Sequence, residues 1–182
     1  MGIPTLISTA TASDSSSVAI TSGIDSTYDE YMFVFTDIGP ATEDAIFQWQ
    51  SSIDGGSNYN VTVTSTFFRA YHAEDGAAAA VAYETGSDLA QQTTYQGITE
   101  AVGMSNAADA SLGGVLHLFS PASTTYVKHW YCRVNMMVLT DNTYSVNALS
   151  AGYFNDTNDI DAVSFKMSSG NFDGVIQMYG IA

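Results

Sequence analysis

The stretch Tyr126–Leu139, YVKHWYCRVNMMVL, decides how the rest of the chain is read. Apolar residues fall on alternate positions: Tyr126, Trp130, Cys132, Val134, Met136 and Val138 lie on one face, with His129, Arg133 and Asn135 on the other. A period of two over a dozen residues is the pattern of a long strand that buries one side. The same alternation recurs on both sides of it. Asp29–Ile38 carries Tyr31, Phe33 and Phe35. Ala45–Ile53 carries Phe47 and Trp49 opposite Gln48 and Gln50, the mark of a half-buried strand. Tyr59–His72 turns Val61, Val63, Phe67 and Tyr71 inward and Thr62, Thr64 and Thr66 outward. Leu112–Phe119, Tyr144–Phe154, Val163–Met167 and Val175–Tyr179 continue the series, and Thr5–Thr11 and Val18–Ile24 are weaker members of it.

Turn signals separate these runs: Gly39-Pro40, Asp54–Asn58 (DGGSN), Pro121 and the acidic loop NDTNDID at 155–161. The last twenty residues, Val163–Ala182, read as a terminal β-hairpin around a Gly/Asn/Asp turn, with Val163, Phe165, Met167, Ile176 and Met178 in the core. Nine or ten strands spaced this way predict one all-β domain over 1–182, an antiparallel β-sandwich. Two four-stranded sheets in a jelly roll are expected, with an Ig-like sandwich as the alternative. Residues 1–25 are expected as an edge strand or assembly arm. Residues 73–110 lose the period and read as a long Ala/Gly-rich loop region, an irregular insertion of the kind that serves function or an interface. Within it, DGAAAAVAYE (75–84) suits a short helix or a loose strand, SDLAQQT (87–93) one or two helical turns capped by Ser87, and QGITEAVGM (96–104) a strand.

Composition narrows the partners. The 182 residues include 46% hydrophobic side chains, enough for a substantial core, yet only 4 Lys and Arg against 19 Asp and Glu, for a net charge of −15. Phosphate recognition needs clustered cations, so no nucleic acid and no anionic membrane surface is expected. The N-terminus lacks the basic and apolar regions of a signal peptide, and its MGIPTL start lacks the Ser or Thr of a myristoylation site. The lone Cys132 sits on the apolar face of its strand and has no partner for an intrachain disulfide.

Chemistry is sparse. His72, His117 and His129 stand in no metal-ligand spacing, no Gly-x-Ser-x-Gly elbow is present, and the acid pairs Asp29/Glu30, Glu43/Asp44 and Glu74/Asp75 fall at strand ends, where solvated acids are ordinary. No catalytic, metal-binding or cofactor-binding residue is assigned and no cofactor is expected; the chain reads as a protein without enzymatic activity. The loop 155–161 starts like a calcium loop but lacks its glycine and its distal Glu. If surface aromatics bind a glycan, the candidates are Tyr59, Tyr71, Tyr83 and Tyr95 together with His72, although core packing is the commoner fate of an aromatic.

Four segments carry a resemblance: ASDSSSVAITSGIDSTYDEYMFVF (12–35), DGGSNYNVTVTSTFFRAY (54–71), LHLFSPASTTYVKHWYCRV (116–134) and the run from Ala151 to Ala182. In order and character they resemble small virion structural proteins of tailed bacteriophages, of the cyanophage and marine-phage type. The resemblance implies a virion protein assembled in the host cytoplasm and exposed on the particle. The first expectation is a capsid decoration or cement protein, a homo-oligomer (a trimer) seated on the major capsid protein. The alternative is a receptor- or glycan-binding tail-fibre or tail component among other tail proteins. No catalytic residues come with the resemblance.

Overall fold

A computed structural model describes residues 2–139 and 143–182. Twelve strands occur among them and no helix. They are β1 (Thr5–Ser15), β2 (Val18–Ile20), β3 (Glu30–Pro40), β4 (Phe47–Ser52), β5 (Val63–Ala73), β6 (Ala79–Tyr83), β7 (Gln96–Gly97), β8 (Leu112–Phe119), β9 (Lys128–Leu139), β10 (Thr143–Phe154), β11 (Ala162–Met167) and β12 (Phe172–Ile181). All pairings are antiparallel. Two sheets pack face to face as a β-sandwich, one of eight strands in the order β1-β12-β3-β8-β9-β10-β5-β6, the other of four in the order β2-β11-β4-β7.

The sandwich and its single core agree with the alternation, but the division of strands differs from the expected four and four. The first four strands, β1 to β4, pair in turn with β12, β11, β8 and β7, alternating between the layers. Two hairpins, β5–β6 and β9–β10, then widen the larger sheet. The C-terminal run is a correction of another kind. β11 and β12 are not a hairpin: β11 lies between β2 and β4, whereas β12 lies between β1 and β3. The residues between them cross from one layer to the other. Period two places side chains on faces and cannot say which sheet a strand joins.

Between the layers the aromatic residues interlock. Phe35 meets Phe47 edge-on at 5.4 Å and Trp49 meets Trp130 edge-on at 5.2 Å, geometries that use the ring quadrupole as well as burial. Cys132 is buried here, and its apolar surroundings push the thiol far above the ordinary range. Gly114 of β8 is required by a close approach: a Cβ there would stand 2.4 Å from the Arg133 carbonyl oxygen and 2.6 Å from Val134 Cα. Both are backbone atoms of the neighbouring strand and cannot swing aside. We expect Gly114→Ala to cost about 2 kcal/mol by overpacking, read as a melting temperature lower by roughly 4–8 °C for a chain of this size; an unchanged melt would show that β8 and β9 are not this close.

The segment 73–110 is irregular because tertiary bonds claim its backbone. DGAAAAVAYE forms strand β6 and not a helix, since the free edge of β5 pairs with it from His72↔Ala79 to Phe68↔Tyr83. No helical turns form over 87–93: Ser87 Oγ accepts from Ala101 N, Leu89 N donates to Ser65 Oγ, and Gln92 pairs with Val63. Of the expected 96–104 strand, Gln96–Gly97 alone forms β7; a turn from Glu100 to Gly103 ends it, and Met104 makes an isolated bridge to Ala45. The stretch adds an edge strand to each sheet, β6 to the larger and β7 to the smaller, and buries Ile98 and Met104 in the core. It also changes Gln50, expected on a solvated face. The side chain is fully buried, and its amide donates to the carbonyls of Val61 (3.1 Å) and Thr94 (2.9 Å). Residues 1–25 hold an edge strand, β1, laid along β12 with two bulges.

Candidate docking face and inner cleft

The outer face of the eight-stranded sheet faces no second layer. An antiparallel sheet can leave one side in water if that side is polar; this side mixes exposed polar residues such as Thr66, His72, His129 and Asn135 with large apolar ones. Nine large apolar side chains are exposed among the described residues, and six of them, Leu6, Phe68, Val81, Tyr83, Tyr131 and Leu139, occupy outward positions on this one face. Tyr131 is 42% exposed and Val81, on the edge strand, 78%. His117 stacks on Tyr131 at 4.6 Å between ring centres and bonds Glu30 through Nδ1. His129 lies 5.9 Å from Tyr153. Acids border this face, with Asp37 and Asp173 at the bulged rim, Glu74 and Asp109 beside Asn135, Met137 and Ser145, and Asp88 on the Tyr83 hydroxyl, while Glu30 and Arg133 lie within it. Eight strands about 4.8 Å apart and about ten residues long make a face of roughly 1,200 Å², above the ~800 Å² per partner of a standard stable interface.

Three of the four cations are held by neighbouring groups, and the fourth, Arg133, is exposed on the outer face. Arg69 points inward between Glu84 (Nε–Oε1 2.7 Å) and Glu100. Lys166 lies over the Tyr95 ring at 4.2 Å. Lys128 is fully buried, and its ammonium donates to the carbonyls of Asp156 and Asn158. The acidic loop that resembled a calcium loop is therefore organised around a lysine. Among the described residues no three or more His, Cys, Asp or Glu side chains converge as a metal site.

The glycan candidates are not gathered at one place. Tyr71 points into the sandwich and Tyr83 out of it, from neighbouring strands. Tyr59 packs against the Gly55-Gly56 turn and Tyr95 takes Lys166. His72 is exposed, with Nδ1 2.8 Å from the Ala73 carbonyl oxygen. Tyr126, expected on the inner face with Trp130, is 72% exposed, because β9 begins only at Lys128.

A cleft of about 220 Å³ opens on the inner side of the large sheet, past the end of the small one. Arg69, Tyr71, Ala78, Glu100, Val102, Val138, Tyr144 and Val146 line it. Glu100 is 1% exposed; one carboxylate oxygen, Oε2, takes the Arg69 guanidinium, and burial pushes its pKa above the ordinary value against the pull of that cation. Nothing in the sequence pattern marked Glu100, which lies in the aperiodic segment, whereas Arg69 shares the inward parity of Val63 and Phe67.

No protein-family model, no curated protein sequence and no solved structure matches the chain.

Proposed function

We propose that this chain is a non-catalytic structural protein of a tailed-phage virion, displayed on the particle surface as a capsid decoration or cement protein. The observation that carries the reading is that six of the nine exposed large apolar side chains point outward from one broad sheet face of a chain whose net charge is −15. A face with that many exposed apolar groups suits docking, and the chain's acids keep neighbouring particles apart. The segments quoted above resemble virion proteins of this kind, and the pairing of β1–β4 with β12, β11, β8 and β7 supports a jelly-roll wrapping. The chain forms a closed homo-oligomer, a trimer, on the major capsid protein.

Tyr131→Glu combined with Phe68→Glu places two charges on the face without touching the core. Capsid shells stripped of this protein should rebind the wild type and bind the double variant at least about tenfold more weakly, a loss of ~1.4 kcal/mol, with the melting temperature unchanged. Equal binding by both proteins would remove this face from the reading. Failure of shells to bind the wild type, with tight binding to host-cell surfaces, would favour the tail-component alternative.

A further inference from the structure

The inner cleft contains a charge problem that the fold leaves open. Glu84 and Glu100 share a single cation, Arg69, so the cluster carries one net negative charge. Glu100 Oε2 is taken by Arg69, and Glu100 Oε1 is buried with no hydrogen-bond donor among the described residues. A buried acceptor without a partner is costly. Around it the walls are Val102, Val138, Val146 and Ala78, with the rings of Tyr71 and Tyr144 set edge to face at 5.9 Å.

We propose that this cleft binds an aliphatic primary ammonium group, with its alkyl stem along the valines and its head directed toward Glu100. Each alternative class meets an obstacle. An anion would face the Glu100 carboxylate, with Arg69 already paired to Glu84 and Glu100. A sugar would bring several hydroxyls to walls that are mostly apolar and cannot satisfy them. A guanidinium seeks two parallel acceptors, and one oxygen of Glu100 is already committed. An ammonium is a point charge that needs few acceptors and favours nearby aromatic faces; Tyr71 already has the Arg69 guanidinium at 4.9 Å from its ring centre. At about 220 Å³ the cleft is smaller than the ~300–1,000 Å³ of ordinary ligand sites, room for a short unbranched stem. Such a group arrives as a free diamine or as a lysine side chain of a neighbouring protein.

The test is an NMR titration of the intact protein with cadaverine, with Nα-acetyl-lysine methylamide, with mono-N-acetylcadaverine, and with the neutral di-N-acetylcadaverine. Saturable shifts confined to Tyr71, Val102, Tyr144 and Val146 are expected with the first two probes and with the mono-acetyl compound, which keeps one ammonium. The di-acetyl compound should not shift them. Preference for the acetyl-lysine amide over cadaverine assigns the ligand to a protein side chain, and the reverse order to a free diamine. Glu100→Gln should weaken binding at least tenfold; should that variant not fold, the charged-against-neutral comparison on the wild type decides alone. Absence of saturable shifts with the amines, equal shifts with the di-acetyl compound, or undiminished binding by a folded Glu100→Gln protein would each overturn the assignment.

Discussion

A chain ending at Ser169 does not fold. It lacks β12, which lies between β1 and β3 in the eight-stranded sheet and pairs with both. Its loss strips β1 of its pairing partner in that sheet and exposes one edge of β3. It also removes Phe172, Ile176 and Met178, all fully buried. At roughly 1.5–3 kcal/mol for each such side chain, these three alone approach the ~5–15 kcal/mol by which a whole domain is stable. The truncated protein is expected in inclusion bodies, or as a soluble species with collapsed amide dispersion and no cooperative melt. A sharp thermal transition from the 169-residue chain would contradict the placement of β12.

Lys128 is the second residue with a large expected effect. Its ammonium is enclosed and satisfied by two loop carbonyls, those of Asp156 and Asn158. Lys128→Met keeps the stem volume and leaves both acceptors without their donor. Each orphaned buried acceptor costs about 1–3 kcal/mol, so the variant should lose about 3 kcal/mol and melt roughly 6–12 °C lower. Lys128→Ala adds a cavity and should fall further. A melt unchanged in Lys128→Met would mean that the loop is not anchored by this amine. The pH dependence has a definite sign. Burial lowers the Lys128 pKa below 10.5, opposed by Asp156 and Asp159. Between the lowered folded value and the unfolded one the unfolded chain holds more protons, so stability rises with pH across that window. The contribution is fully present above the unfolded value and is lost as pH falls through the folded one. The difference between wild-type and Lys128→Met stability curves should therefore widen as pH rises toward 10.5; a difference that narrows there would reverse the assignment.

These two residues also show what the sequence could and could not carry. Period two placed Trp130, Cys132, Val134, Met136 and Val138 inside, and all are buried. The same parity runs through Lys128, between Tyr126 and Trp130, so the buried lysine was legible wherever parity is taken ahead of polarity. Arg69, in step with Val63 and Phe67, was legible on the same rule. Glu100 and Gln50 were not. Their burial depends on a segment that crosses the small sheet with no period of its own, held by side-chain bonds such as Ser65 Oγ to Gln96 Oε1 at 2.6 Å. Long-range pairing of that kind leaves no local pattern. The unequal sheets share this cause, since alternation reports which side of a strand is apolar and not which strands are neighbours. The outward face was half legible. His129 and Arg133 marked it as polar on β9, yet its character comes from Phe68, Val81, Tyr83 and Leu6, brought alongside only by the sheet order.

The proposed docking of the outer sheet face gives the chain permanent company on the particle. Quantitative mass spectrometry of purified phage particles, scaled to the major capsid protein, counts that company directly. The account predicts copies in the hundreds, in fixed ratio to the capsid subunit. A count of a few to tens, or a chain missing from the particle, would contradict it.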